Sequence, residues 1–135
     1  MSISNTPISF VGYRIEKLSY SHEETAPDGN LKFEGGVGIS DDLDEGIVRQ
    51  KISVFNSNNK ILINIEMIGN FKNNAQLSKD KFEEFLGVNG SAMLYPYIRS
   101  ICSLLSSLDS SENTVIPALN FKDAYEEYIR KSENN

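Results

Sequence analysis

At 135 residues the chain has room for one hydrophobic core and not for two. Its apolar content of 39% and charged content of 24% are those of an ordinary soluble protein, and no apolar run approaches the roughly 20 residues that a membrane helix needs. The net charge of −6 speaks against a basic, nucleic-acid-binding surface.

The opening MSISNTPISF has neither a basic region nor an apolar stretch of signal-peptide length. A lone cysteine, Cys102, cannot form an internal disulfide. Both features point to the cytoplasm. Charge is unevenly spread. From Ser21 to Gly46 there are eight acidic residues (Glu23, Glu24, Asp28, Glu34, Asp41, Asp42, Asp44, Glu45) against Lys32 alone, a net of −7, so the remainder carries about +1. Such a segment keeps one edge soluble or steers a basic protein partner.

In chain order, residues 8–20 alternate at Val11, Tyr13 and Ile15 and then change phase to Leu18 and Tyr20, which predicts a long first strand with a bulge near Lys17. A turn-rich loop follows at 21–30, centred on Pro27-Asp28-Gly29. The second strand is expected at 31–39, with Leu31, Phe33, Val37 and Ile39 on one side and Gly35-Gly36 weakening its middle. The third, 46–56, sets Val48, Ile52 and Val54 against Arg49 and Lys51; a tight turn at 57–60 leads to the fourth, 60–71, where Ile61, Ile63, Ile65 and Met67 alternate with Leu62, Asn64 and Glu66. Short polar connections predict an antiparallel meander with one face needing cover.

The second half is helical. Ser78 opens a short helix with Phe82, Phe85 and Leu86 on one face, and Gly87 is expected to end it. Residues 91–108 space Leu94, Tyr97, Ile98, Ile101, Leu104, Leu105 and Leu108 as one helical face, with Ser91 as its cap. Pro96 lacks the N–H that would bond the Ala92 carbonyl, so a bend at Tyr95–Pro96 is expected, at a cost of about 3 kcal/mol in a helix interior. A loop, the short apolar segment 115–119 and an Asn120-capped final helix complete the chain. Strands first and helices after predict an α+β fold in one domain, 1–135, with strands over about 8–71 and helices over about 78–131 packed on one sheet face.

No catalytic constellation appears, and the chain reads as a non-enzyme. His22 lies in a predicted loop beside Glu23 and Glu24 with no metal-ligand spacing, so no metal is expected. Cys102 has no second histidine to activate it. Gly35-Gly36-Val37-Gly38 lacks the lysine that ends a phosphate loop, so no cofactor is implied.

The segment Asn89-Gly90-Ser91-Ala92-Met93-Leu94-Tyr95-Pro96-Tyr97-Ile98-Arg99-Ser100-Ile101 resembles the signature of the SecB family of export chaperones, in which an apolar residue and an aromatic precede Pro-Tyr and an arginine follows two residues later. Ile116-Pro117-Ala118-Leu119-Asn120-Phe121 resembles the family's segment ahead of its last helix, and Tyr13 to Tyr20 is similar to its first strand. The first half departs from typical members, which marks a divergent relative.

The resemblance implies a four-stranded antiparallel sheet with helices, assembled as a dimer or dimer of dimers. It implies an ATP-independent chaperone that holds unfolded polypeptides and passes preproteins to the SecA motor, with no nucleic acid and no membrane insertion. Aromatic placement nominates Tyr20, Phe33, Leu119, Phe121, Tyr125 and Tyr128 as client-binding residues. Glu66, Asp41, Asp42, Asp44 and Glu45 are the acidic candidates for a SecA-like contact, while Tyr95, Pro96, Tyr97, Arg99 and Asn120 carry the signature and act structurally. Two other readings compete: a dedicated chaperone for one partner such as an antitoxin, and an oligomeric interaction module without client binding.

Overall fold

A computed structural model of the chain describes residues 6–109 and 121–133. Four strands, β1 (Ile8–His22), β2 (Leu31–Ile39), β3 (Glu45–Asn56) and β4 (Ile61–Asn73), form one sheet. Every neighbouring pair is antiparallel and the order is β1-β4-β3-β2. This is not the expected meander. Only β2, β3 and β4 follow one another in space, whereas β1 lies beyond β4, a Greek-key arrangement. The chain from β1 to β2 crosses the sheet end at the β3–β4 hairpin, tied by Glu23 N–H to the Lys60 carbonyl at 2.9 Å and by Phe55 N–H to the Asn30 carbonyl at 2.9 Å. Residues 23–30 are longer than hairpin loops of 2–5 residues and can cover about 26 Å when extended, ample for a sheet about 14 Å wide between its edge strands.

The phase change near Lys17 is a register shift between Ile15 and Lys17, and a second shift lies between Phe10 and Gly12. Residues opposite one another share a face. Val48, Ile52 and Val54 of β3 and Ile63, Ile65 and Met67 of β4 therefore form a continuous apolar floor, all buried. Arg49, Lys51 and Glu66 alternate with them on the far side.

Helix α1 (Lys79–Phe85) starts at Ser78, whose hydroxyl accepts the Lys81 N–H at 3.4 Å. The chain does not leave the helix at Gly87 as predicted. It runs through a π-helical turn, Leu86–Gly90, directly into α2 (Ser91–Asp109). Ser91 is consequently no cap: its hydroxyl bonds the Leu86 carbonyl at 3.5 Å from inside the helix. The π turn brings the backbone close to the sheet at Gly90, where a Cβ would meet Val48 at 3.0 Å. Leu94, Tyr95, Ile98 and Cys102 press onto the floor, with Phe82 and Leu86 beside them. Pro96 lies within α2 on its exposed side. The final helix, α3 (Phe121–Glu133), packs against the π turn.

Candidate functional site

Strand β2 forms one sheet edge and turns Leu31, Phe33, Gly35, Val37 and Ile39 to the helix side, opposite Val54, Ile52, Gln50, Val48 and Gly46. Its neighbours on β3 are covered, but among the described residues β2 is covered only in part, with Phe33, Val37 and Ile39 half-buried. Between it and the helices runs a groove of about 640 Å³, lined by Phe33, Val37 and Ile39, by Lys79 and Glu83 of α1, by Gly87 and Ser91, and by Phe121 and Tyr125 of α3.

Gly87 sets the position of the outer wall. A Cβ there would fall 2.6 Å from the Tyr125 ring, so only a glycine lets α3 lie this close to the π turn. The inner end of the groove is aromatic. Phe33 and Phe121 have ring centres 5.7 Å apart, Tyr95 stands 5.1 Å from Phe121 and 5.8 Å from Phe33, and all three meet edge to face. The Arg99 guanidinium lies 6.0 Å from the Tyr95 ring centre. Burial raises the Tyr95 hydroxyl above its ordinary pKa and Arg99 partly offsets this. Beneath Gly35, the buried Gln50 amide donates to the Ser91 carbonyl at 2.9 Å, while its oxygen has no hydrogen-bond partner among the described residues.

Of the nominated client-binding residues, Phe33, Phe121 and Tyr125 come together here. Phe33 and Tyr125 are half-buried and Phe121 is buried. Tyr20 stands at the other edge of the sheet, on β1 opposite Ile63. Leu119, Asn120 and the Tyr128 side chain lie outside the described residues. Asp41, Asp42, Asp44 and Glu45 gather at the β2–β3 turn, where the Asp44 N–H and the Ser40 hydroxyl hold the Asp42 carboxyl below its usual range. Glu66 lies apart, on the far face of β4.

Val37, Ile39 and Gly87 belong to the groove without having been nominated. The alternation of β2 was visible; that the helices would cover it only in part was not. Tyr95 rather than Tyr97 joins α2 to the aromatic cluster, because the helix turns Tyr97 toward β1, where its ring meets Tyr13 at a tilt with centres 4.6 Å apart. That pair marks a second open surface. Tyr13, Ile15 and Leu18 of β1 and Tyr97 and Leu104 of α2 are apolar and exposed, Leu104 to 59%. Cys102 is buried, and its thiol is pushed up to about 12, which keeps it neutral and unreactive near pH 7.

No family model matches the sequence, and no curated protein matches it. Among solved structures, a SecB-like chaperone of Mycobacterium tuberculosis in complex with a ChAD peptide from an antitoxin superposes with a TM-score of 0.67 at 17% identity, over 84% of this chain and 90% of that one. The fold is that of a SecB-like chaperone. A Streptococcus agalactiae protein of unknown function is also similar, with a TM-score of 0.52 at 10% identity over 83% of this chain and 97% of that one. The SecB-like likeness agrees with the signature at residues 89–101. It accounts for the α+β architecture of a four-stranded antiparallel sheet with helices on one face.

Proposed function

We propose that this SecB-like chain is an ATP-independent chaperone that binds non-native polypeptide in the groove beside β2. The observation that carries the reading is the groove itself: open, aromatic at its inner end, and floored by an edge strand. An unfolded segment offers scattered apolar side chains and unpaired backbone groups. Phe33, Phe121 and Tyr125 can take the former, and the outer edge of β2, which pairs with no other described strand, the latter. Export of preproteins is the finer form of this reading, with the acidic β2–β3 turn (Asp41, Asp42, Asp44, Glu45) offered to a basic partner such as the SecA motor. The compartment that fits is the cytoplasm.

A second reading is favoured by one observation: the M. tuberculosis chaperone is bound to an antitoxin peptide. On that reading the groove of this chain serves one cognate partner. A homo-oligomer is part of either. The edge of β1 pairs with no other described strand on its outer side, and beside it lie exposed Tyr13, Ile15, Leu18, Tyr97 and Leu104. A second copy is the simplest cover for such a face, as a dimer or a dimer of dimers.

The test is suppression of aggregation of a chemically unfolded, slowly refolding protein without ATP. Protection at equimolar chain, reduced several-fold in folded Tyr125→Ala or Phe33→Ala variants, is expected. Absence of protection at several-fold excess would remove the general chaperone, and capture of a single protein by pull-down would then establish the dedicated one.

A further inference from the structure

The face of the sheet turned away from the helices takes no part in the groove, and its charge differs from that of the chain. Register sets Arg14, Ile68 and Arg49 in one row across β1, β4 and β3, and Lys17, Glu66 and Lys51 in the next. Ile68 is buried and the Glu66 side chain is only 18% exposed, so the four cations stand above both. Arg14 is held by Glu16 at 2.6 Å and Arg49 reaches Glu66 at 3.7 Å. Lys17 and Lys51 have no ion pair among the described residues. These two lysines line a depression of about 320 Å³ together with Ser19, Asn64 and Glu66.

Next to the arginine row the face drops. Gly12, Asn70, Ile47 and Gly38 form the following row, and a cleft of about 580 Å³ opens over it, with Val11 exposed to 60% at one end. Acidic residues bound the face at both ends of the strands: Asp41, Asp42, Asp44 and Glu45 at the β2–β3 turn, and Glu23, Glu24 and Asp28 in the crossing loop. A long polyanion such as nucleic acid would meet repulsion at either end. A short segment crossing β1, β4 and β3 would not, and Glu34, beside Lys51 on β2, bounds it on that side.

We propose that this face docks a short acidic segment of a partner protein, its carboxylates on Lys17, Lys51, Arg14 and Arg49 and one aliphatic side chain in the cleft between Val11 and Ile47. Charge complementarity selects the occupant: the basic band runs from β1 to β3, about 10 Å, with Glu34 standing beside Lys51 on β2 at its limit, and that width suits two carboxylates of an extended chain. The site is separate from the groove, so a partner can dock while the groove is occupied.

The experiment uses the full chain and a fluorescein-labelled Gly-Ser-Leu-Asp-Glu-Asp-Glu-Gly peptide, read by anisotropy at low and moderate salt. Binding is expected that weakens with salt, falls about tenfold in the Lys17→Gln/Lys51→Gln variant and survives in Tyr125→Ala. A peptide with lysines in place of the carboxylates should not bind, and one with serine in place of leucine should bind several-fold more weakly. Should the double variant fail to fold, Arg14→Gln/Arg49→Gln is the second test, with the same expected loss. Equal binding of the lysine peptide, or unchanged binding in both double variants, would overturn the proposal. So would acidic-peptide binding that is lost in Tyr125→Ala, since the groove would then be the site. Low-salt self-association of the chain that the double variants abolish, without any peptide binding, would assign the face to the acidic loop of a second copy and likewise overturn it.

Discussion

At the scale of single residues, small changes of volume decide whether the groove exists. Gly87 offers α3 a flat backbone, and the Tyr125 ring rests where a side chain would stand. Replacing Gly87 by alanine forces the ring or the whole helix outward, an overpacking cost of about 1–3 kcal/mol. The expected outcome is faster amide exchange over residues 121–133 with β4 unchanged, measured by hydrogen exchange with mass spectrometry. Equal protection of α3 in both proteins would show that Gly87 does not set the wall. Its neighbour along the π turn, Gly90, answers to the sheet instead, through Val48. Two glycines three residues apart thus serve two contacts. The sequence suggested only a helix end, because glycine marks a terminus and a close approach alike.

At the scale of elements, α2 shows how a periodic pattern can be right and still incomplete. The apolar spacing from Leu94 to Leu108 predicted one face; the helix in fact carries two. Leu94, Ile98 and Cys102 are buried on the sheet, whereas Tyr97 meets Phe10 and Tyr13 at the β1 edge and, like Leu104, stays exposed. The difference gives a prediction. Ile98→Ala should cost about 2–5 kcal/mol because it leaves a cavity in packed surroundings. Leu104→Ala should stay within about 0.5 kcal/mol for the isolated chain, because the side chain is 59% exposed. Urea unfolding at low protein concentration measures both, and similar losses at the two sites would contradict this division of the helix. β1 makes a related point. Its phase change was legible and lies between Ile15 and Lys17. The earlier shift between Phe10 and Gly12 was not, since Val11 keeps apparent step with Tyr13 in the sequence although the bulge turns it toward the far face.

At the scale of the whole molecule, apolar exposure is divided between two edges of one sheet. Beside β2 it forms a groove with walls; beside β1 it forms an open face without them. A walled groove suits a changing occupant, and an open face suits a fixed one of matching shape. Tyr13→Asp puts an uncompensated charge into that open face, against Tyr97 at a ring-centre distance of 4.6 Å. The variant is expected to shift the chain from oligomer to monomer while keeping its far-UV spectrum, as read by sedimentation velocity. An oligomer indifferent to Tyr13→Asp would move the contact elsewhere.

Strand limits, the short helix start at Ser78, the amphipathic α2 and the acidic turn all follow from local periodicity and turn chemistry, and they were legible because each depends on neighbours within a few residues. The SecB-like signature around Tyr95-Pro96-Tyr97 was legible for the same reason. Strand order was not: β1 pairs with β4 rather than β2 because a 13-residue ladder with β4 outweighs the proximity of a connected strand, and loop closure over a few more residues costs little. Openness was not legible either. Phe33 and Val48 are equally apolar in the sequence, and only the packing of α2 and α3 leaves one half-exposed and covers the other. Burial is a property of what lies above a residue, and that is decided by contacts distant in the chain.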